Sequence, residues 1–226
     1  MTHHKLEAVL FDLDGTLLDT APDFVIAVNQ QRQQHQLEPL DEDKIRTTVS
    51  HGARALVSLS FGMHEGDDGF EDLRQELLHL YQQHLCVKTQ PFDGINTLLD
   101  WLDDQSLPWG IVTNKPRLYA EPIIAGLNLD KRCQTLVCPD DVSHTKPNPE
   151  PMFLACSHIN CNPENTLYLG DHLRDIEAGK KAGMKTIATN YGYIEPNENT
   201  KTWQADYYVD HADDIIPLLK AYFIFH

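Results

Sequence analysis

Two aspartates stand two residues apart in Phe11-Asp12-Leu13-Asp14-Gly15-Thr16, where a short apolar run gives way to polar residues. On an extended backbone Asp12 and Asp14 point to the same side. Carboxylates so placed repel one another unless a cation or a proton intervenes. Asp171, with Asp175 four residues on, follows another apolar run and adds further carboxylates. Gathered at one edge, these groups make a hard oxygen site of the kind that suits Mg²⁺, which keeps waters and accepts phosphate oxygens. Thr113 offers a hydroxyl donor and Lys146 a fixed positive charge, and both types stabilise charge on a transferring phosphoryl group. Gly15 lets the backbone turn sharply beside a bound phosphate. Taken singly, an Asp-x-Asp is usually a solvated edge and an aspartate after a strand a helix cap. It is their conjunction, each after a candidate strand, that points to chemistry.

Those strands are short apolar runs. They are Ala8-Val9-Leu10-Phe11, Trp109-Gly110-Ile111-Val112, Leu136-Val137-Cys138, Thr166-Leu167-Tyr168-Leu169, Lys185-Thr186-Ile187-Ala188 and Tyr207-Tyr208-Val209. Helical stripes lie between them: Ile95, Leu98, Leu99 and Leu102; then Met152, Phe153, Cys156 and Ile159 after Pro149 and Pro151; then Ile176 with Ala178 and Ala182, stopped near Gly183. Strands apolar throughout that alternate with helices predict an α/β fold with a parallel sheet covered on both faces. In such sheets ligands bind at the carboxyl ends of the strands, where the polar residues named above all fall.

Residues 20–90 break the alternation. Thr20-Ala21-Pro22 starts a helix with Phe24, Val25 and Val28 on its apolar side, and Asp41 caps a second. Ala53 to Leu59 reads as a third, and Phe70, Leu73, Leu77, Leu80 and Tyr81 mark a fourth. Gln30-Gln31-Arg32-Gln33-Gln34 reads as a polar helix face.

The chain of 226 residues is long enough for one sizeable domain with an insert, and 41% hydrophobic residues suffice for a packed core. Its 18 basic against 34 acidic residues leave a net charge of −16, which argues against nucleic acid or an anionic membrane as partner. A phosphorylated substrate would therefore need local positive charge from a cation or a few placed lysines and arginines. No apolar run approaches the roughly 20 residues that span a bilayer, and the opening Met1-Thr2-His3-His4-Lys5 shows no secretory pattern. The five cysteines are odd in number and lack a Cys-x-x-Cys pair, so reduced thiols and a cytoplasmic location are expected.

The first motif, Phe11-Asp12-Leu13-Asp14-Gly15-Thr16-Leu17, resembles that of the haloacid dehalogenase superfamily. Thr113-Asn114 resembles its second motif, Lys146-Pro147 its third and Gly170-Asp171-His172-Leu173-Arg174-Asp175 its fourth. The resemblance implies a Rossmann-like core over residues 1–19 and 91–226, with the helical stretch 20–90 as a type 1 cap. It also implies that Asp12 is the nucleophile, forming an aspartyl-phosphate. Asp14 would protonate the leaving oxygen and then activate the hydrolytic water. Thr113, Asn114 and Lys146 would bind the phosphoryl group. Mg²⁺ would be held by the Asp12 carboxylate, the Asp14 main-chain carbonyl and Asp171, with Asp175 beside them. His172 departs from the small or acidic residue common there.

Within the superfamily, Asp14 favours phosphate monoesters over carbon–halogen bonds, and Thr16-Leu17 favours phosphatases over sugar phosphomutases. The substrate is expected to be a small phosphorylated metabolite. The chain is similar to phosphoglycolate phosphatases and, more closely, to bacterial N-acetylmuramic acid 6-phosphate phosphatases. The closer likeness rests on Gly52-Ala53-Arg54-Ala55, Thr113-Asn114-Lys115-Pro116, Ala120-Glu121-Pro122-Ile123, Cys138-Pro139-Asp140, Lys146-Pro147-Asn148-Pro149-Glu150-Pro151 and Tyr191-Gly192-Tyr193-Ile194. Gly52 and Arg54 would serve substrate binding from the cap, Arg54 pairing with a substrate carboxylate. A catalytically silent phospho-ligand binder is the alternative of another class. A monomer or a homodimer is expected, the apolar tail Tyr222-Phe223-Ile224-Phe225 either docking on the core or pairing with a second chain.

Overall fold

A computed structural model describes residues 4–225, so the reading of the first three residues lies outside it. The chain runs through β1 (His4–Leu6), β2 (Ala8–Phe11) and β3 (Leu18–Asp19) into α1 (Ala21–Gln34), α2 (Glu42–Thr48), α3 (Gly52–Phe61) and α4 (Phe70–Gln83). It continues through β4 (Gln90–Pro91), α5 (Ile95–Asp104), β5 (Trp109–Val112), α6 (Arg117–Gly126), β6 (Leu136–Val137) and α7 (Glu150–Ile159). Then follow β7 (Thr166–Gly170), α8 (Leu173–Lys181), β8 (Lys185–Thr189), β9 (Tyr207–Val209), α9 (Ile215–Tyr222) and β10 (Phe223–Phe225). Two compact units result, one of residues 1–18 and 91–226, the other of residues 19–90.

The first unit is built on a six-stranded sheet in the order β6-β5-β2-β7-β8-β9. Every neighbouring pair in it is parallel. The two central strands explain their apolar sequences. β2 is buried along its whole length, with Val9 opposite Trp109 on one side and Leu167 on the other. β7 is likewise fully buried, between β2 and β8. Because β2 and β7 are neighbours, Asp12 and Asp171 leave the sheet at the same edge although 159 residues separate them.

The helices follow their stripes with one exception. Ile95, Leu98, Leu99 and Leu102 of α5 are all buried. In α7, Met152 and Cys156 are buried, but Phe153, expected on the same face, is 47% exposed. The buried set is Pro151, Met152, Ala155 and Cys156. Phe153 is one step of about 100° past that stripe, which its hydrophobicity alone does not reveal. The C-terminal tail docks in cis: β10 pairs in parallel with β1, and Phe225 meets Trp101 edge-on at 5.3 Å.

The second unit is a helical bundle in which Phe24 of α1 stacks on Tyr81 of α4 at 3.7 Å. Asp41 caps α2, accepting from the amides of Asp43 and Lys44. The buried Asp23 carboxylate accepts from the amides of Lys88 and Thr89 and from the Thr89 hydroxyl, which fastens the last stretch of the unit to α1. Gln31 corrects the reading of residues 30–34 as a polar face. It is fully buried, and its amide donates to the Leu73 carbonyl at 2.7 Å and to Glu76 Oε2 at 2.9 Å. The buried amide nitrogen is tolerated because it finds these two acceptors.

Candidate active site

Asp12 is the first residue beyond β2. Its amide donates to the Leu169 carbonyl of β7, and its Oδ1 accepts from the Leu13 amide at 2.7 Å. The side chain is nearly out of solvent. Lys146 reaches it from the loop before α7: Nζ is 2.8 Å from Asp12 Oδ1 and 2.7 Å from Asp175 Oδ1. The same ammonium donates to the Val112 carbonyl and to the Tyr168 hydroxyl. One lysine thus joins the ends of β2, β5 and β7 and the start of α8.

Asp171 follows β7. Its Oδ1 accepts from the Thr16 hydroxyl at 3.2 Å and its Oδ2 from the Tyr193 amide at 2.9 Å. Carboxylate oxygens of Asp12, Asp171 and Asp175 all lie within 4.8 Å of one another, and all three residues are buried. Burial and the charges of Asp12 and Asp175 push the Asp171 carboxyl up to about 8. Burial also raises Asp12, with Asp175 adding to the rise and Lys146 opposing it. Three buried carboxylates held this close have one lysine ammonium among them and the charge of Arg174 nearby, yet Asp171 stays raised, and their hard oxygens fit a divalent cation such as Mg²⁺.

Close backbone approach makes this crowding possible. Gly15 has φ +81°, and a Cβ there would stand 2.0 Å from Asp171 Oδ2. A Cβ at Gly192 would stand 2.3 Å from Asp171 Cβ and 2.4 Å from the Gly15 carbonyl. Gly170 is equally tight against Asp175, at 2.2 Å. The Tyr191 hydroxyl donates to the Thr16 carbonyl, so the loop after β8 holds the loop after β2.

The remaining expected residues are distributed as follows. Thr113 is buried at the end of β5, and its Oγ1 accepts from the Lys115 amide at 3.1 Å. Asn114, expected at the phosphate, turns its amide to the main chain of Lys146: Nδ2 donates to the Lys146 carbonyl at 3.0 Å, and Oδ1 accepts from the Lys146 amide at 3.2 Å. Asp14 pairs with Lys115, whose Nζ is 2.8 Å from Asp14 Oδ1. His172 caps α8, its Nδ1 accepting from the Arg174 amide, while its own amide donates to Asp175 Oδ2. Within the helical unit, Gly52 opens α3 with φ +80°, and Arg54 Nε donates to Glu65 Oε1 at 2.9 Å.

Sequence reasoning missed Lys115 as a partner of Asp14 and Gly192 as the neighbour of Asp171. A lysine two residues after Thr113, at an otherwise acidic sheet edge, was the available signal for the first. For the second it was a glycine between Tyr191 and Tyr193 just after a strand.

A sequence model of haloacid dehalogenase-like hydrolases matches residues 9–189. The N-acetylmuramic acid 6-phosphate phosphatase of Pseudomonas aeruginosa is 49% identical over 97% of this chain and 97% of its own. The phosphoglycolate phosphatase of Xanthomonas campestris pv. campestris is 38% identical over 92% of this chain and 94% of its own. Among solved structures, a predicted phosphoglycolate phosphatase from Haemophilus somnus superposes with a TM-score of 0.83 at 24% identity, covering 94% of this chain and 97% of that one. At that identity the likeness concerns the fold.

Proposed function

This chain belongs to the haloacid dehalogenase-like hydrolases, and from that premise we propose that it is a phosphatase acting on N-acetylmuramic acid 6-phosphate. The observation that carries the reaction is Asp12 itself, a buried carboxylate at a strand end with Lys146 Nζ at 2.8 Å and two further buried carboxylates beside it. The substrate rests on the near full-length identity to the Pseudomonas aeruginosa enzyme.

In this reading Asp12 attacks phosphorus, the ester oxygen departs, and an aspartyl-phosphate forms on Asp12. Asp14 delivers a proton to the departing oxygen and then takes one from the water that hydrolyses the intermediate. Lys146 and the Thr113 hydroxyl steady the phosphoryl oxygens, and Asn114 keeps Lys146 in place through its main chain. Asp12, Asp171 and the Asp14 carbonyl, with Asp175 beside them, would hold Mg²⁺, which would supply positive charge to offset that of the phosphoryl group. Gly15 keeps the backbone close to the site. Gly52 and Arg54 of the helical unit are the residues we assign to the organic part of the substrate, the unit acting as a cap over 20–90. Among the described residues no helix is long and apolar enough to cross a membrane.

Phosphoglycolate is the second substrate, favoured by the relatives at 38% identity. Steady-state kinetics separates the two: kcat/KM for the amino sugar phosphate is expected to exceed that for phosphoglycolate, and the reverse order overturns the choice. Turnover of p-nitrophenyl phosphate with Mg²⁺, abolished in Asp12→Asn, tests the chemistry. An inert wild type would leave a phospho-ligand binder instead.

A further inference from the structure

Among the described residues, Lys115 is the one lysine at the sheet edge that this mechanism leaves without work. It follows Thr113 and Asn114 in the loop after β5, and Thr113 Oγ1 accepting its amide sets where the side chain begins. From there the side chain runs inward rather than out to solvent. It is 6% exposed, and its Nζ ends 2.8 Å from Asp14 Oδ1, a carboxylate itself only 17% exposed. A largely buried ammonium loses most of its hydration and holds its place only through such partners. An exposed ion pair would be loose and weak, but this one is shielded on both sides, so it constrains the rotamers of both side chains.

Asp14 is restrained by the pairing with Lys115. It sits on a turn whose next residue, Gly15, carries no side chain to pack against it. A proton donor acts only from within hydrogen-bond reach of the atom it serves, and a displacement of about 1 Å is enough to lower the rate some hundredfold. Asp12 and Asp175 are held by Lys146, and Asp171 by the Thr16 hydroxyl and the Tyr193 amide. Asp14 lies outside that buried trio and is served by a lysine of its own. The two lysines are thereby divided between the two aspartates of the first motif.

We infer that Lys115 is a positioning residue that holds the Asp14 carboxyl in register with the ester oxygen as it leaves. The inference rests on the proposed role of Asp14 in proton transfer. It implies a specific failure when Lys115 is lost: substrates whose leaving group needs a proton suffer, and those whose leaving group departs as a stable anion do not.

The test compares kcat/KM, which reports events up to the aspartyl-phosphate, for two monoesters in Lys115→Met, Lys115→Arg and Asp14→Asn, with wild type as reference. N-acetylmuramic acid 6-phosphate has an alkoxide leaving group, with phosphoglycolate as the substitute if the sugar is not turned over. p-Nitrophenyl phosphate has a leaving group that needs no proton. Lys115→Met is expected to lower kcat/KM for the alkyl ester about 100-fold and for the aryl ester less than about 10-fold, against a general-acid contribution of roughly 10²–10⁴. Lys115→Arg, which keeps the cation, should recover much of the alkyl activity. Equal losses on both esters would place Lys115 at the phosphoryl group and overturn the inference, as would no loss on either. Should Lys115→Met fail to fold by thermal melting, Lys115→Gln carries the same comparison. Asp14→Asn tells the two levels apart. If it shows no dependence on the leaving group, the proton-transfer role of Asp14 is wrong. If it shows that dependence and Lys115→Met does not, only the role of Lys115 falls.

Discussion

Lys146 and Asp175 meet at 2.7 Å with both side chains wholly removed from solvent. The ammonium is also the counter-charge of Asp12, so one lysine restrains carboxylates from two elements. Removing one member of a buried ion pair leaves the other uncompensated, at about 3–5 kcal/mol. Lys146→Met is therefore expected to lower the metal-free unfolding free energy at neutral pH by about 3 kcal/mol and to abolish turnover. Mg²⁺, by offsetting carboxylate repulsion, should return part of the stability and none of the activity. Denaturant titration with and without Mg²⁺ checks this, and a variant as stable as wild type without the ion would contradict it.

Gly192 is a test of packing without backbone strain, since the adjacent atoms rather than an unusual dihedral exclude a side chain there. A methyl group would meet Asp171 Cβ at 2.3 Å and the Gly15 carbonyl at 2.4 Å, neither of which belongs to a flexible chain end. Overpacking of this kind costs about 1–3 kcal/mol. Gly192→Ala should lower stability by that amount and weaken Mg²⁺ binding at least tenfold, because Asp171 must move. An alanine variant with wild-type metal affinity would show that Asp171 is not held by this contact.

The raised Asp171 carboxyl gives a pH dependence with a definite sign. In the metal-free protein it takes up a proton as pH falls through about 8, whereas the ordinary value is 3.8. Between those values the folded state binds more protons than the unfolded chain, so this group lowers stability as pH rises across the window. Divalent cation binding at pH 7 competes with that proton and should release it. Calorimetry in two buffers of different ionisation enthalpy measures the release, and Mg²⁺ affinity should rise from pH 6 to pH 8. Affinity flat over that range would place the proton elsewhere.

The sheet and most of the candidate site residues were legible because each depends on local pattern. Buried parallel strands are apolar throughout, as in Ala8–Phe11 and Thr166–Gly170, and polar residues begin where those strands end. Contacts between distant loops were not legible. Lys115 and Asp14 are 101 residues apart, and their meeting depends on β2 and β5 being neighbours. The resemblance to the second motif implies phosphate binding by Asn114, while the clamp its amide makes is visible only from the path of the loop carrying Lys146. Phe153 and Gln31 fail for a shared reason: side-chain type predicts burial on average, while the helix phase and well-placed partners decide it in the individual case.

Arg54 provides the last prediction, bearing on the substrate. Its side chain is 56% exposed and its pairing with Glu65 is exposed on both sides, so the interaction is weak and easily exchanged for another carboxylate. N-acetylmuramic acid 6-phosphate and phosphoglycolate both carry a carboxylate, whereas p-nitrophenyl phosphate carries none. If Arg54 serves the substrate, Arg54→Ala forfeits a charge-assisted hydrogen bond worth about 1.5–3 kcal/mol, a tenfold or greater loss in kcat/KM. The loss should fall on both carboxylate substrates and leave p-nitrophenyl phosphate untouched. Glu65→Ala should have the opposite, smaller effect, by freeing the guanidinium. A uniform loss across all three substrates would assign Arg54 to the fold of the helical unit rather than to recognition.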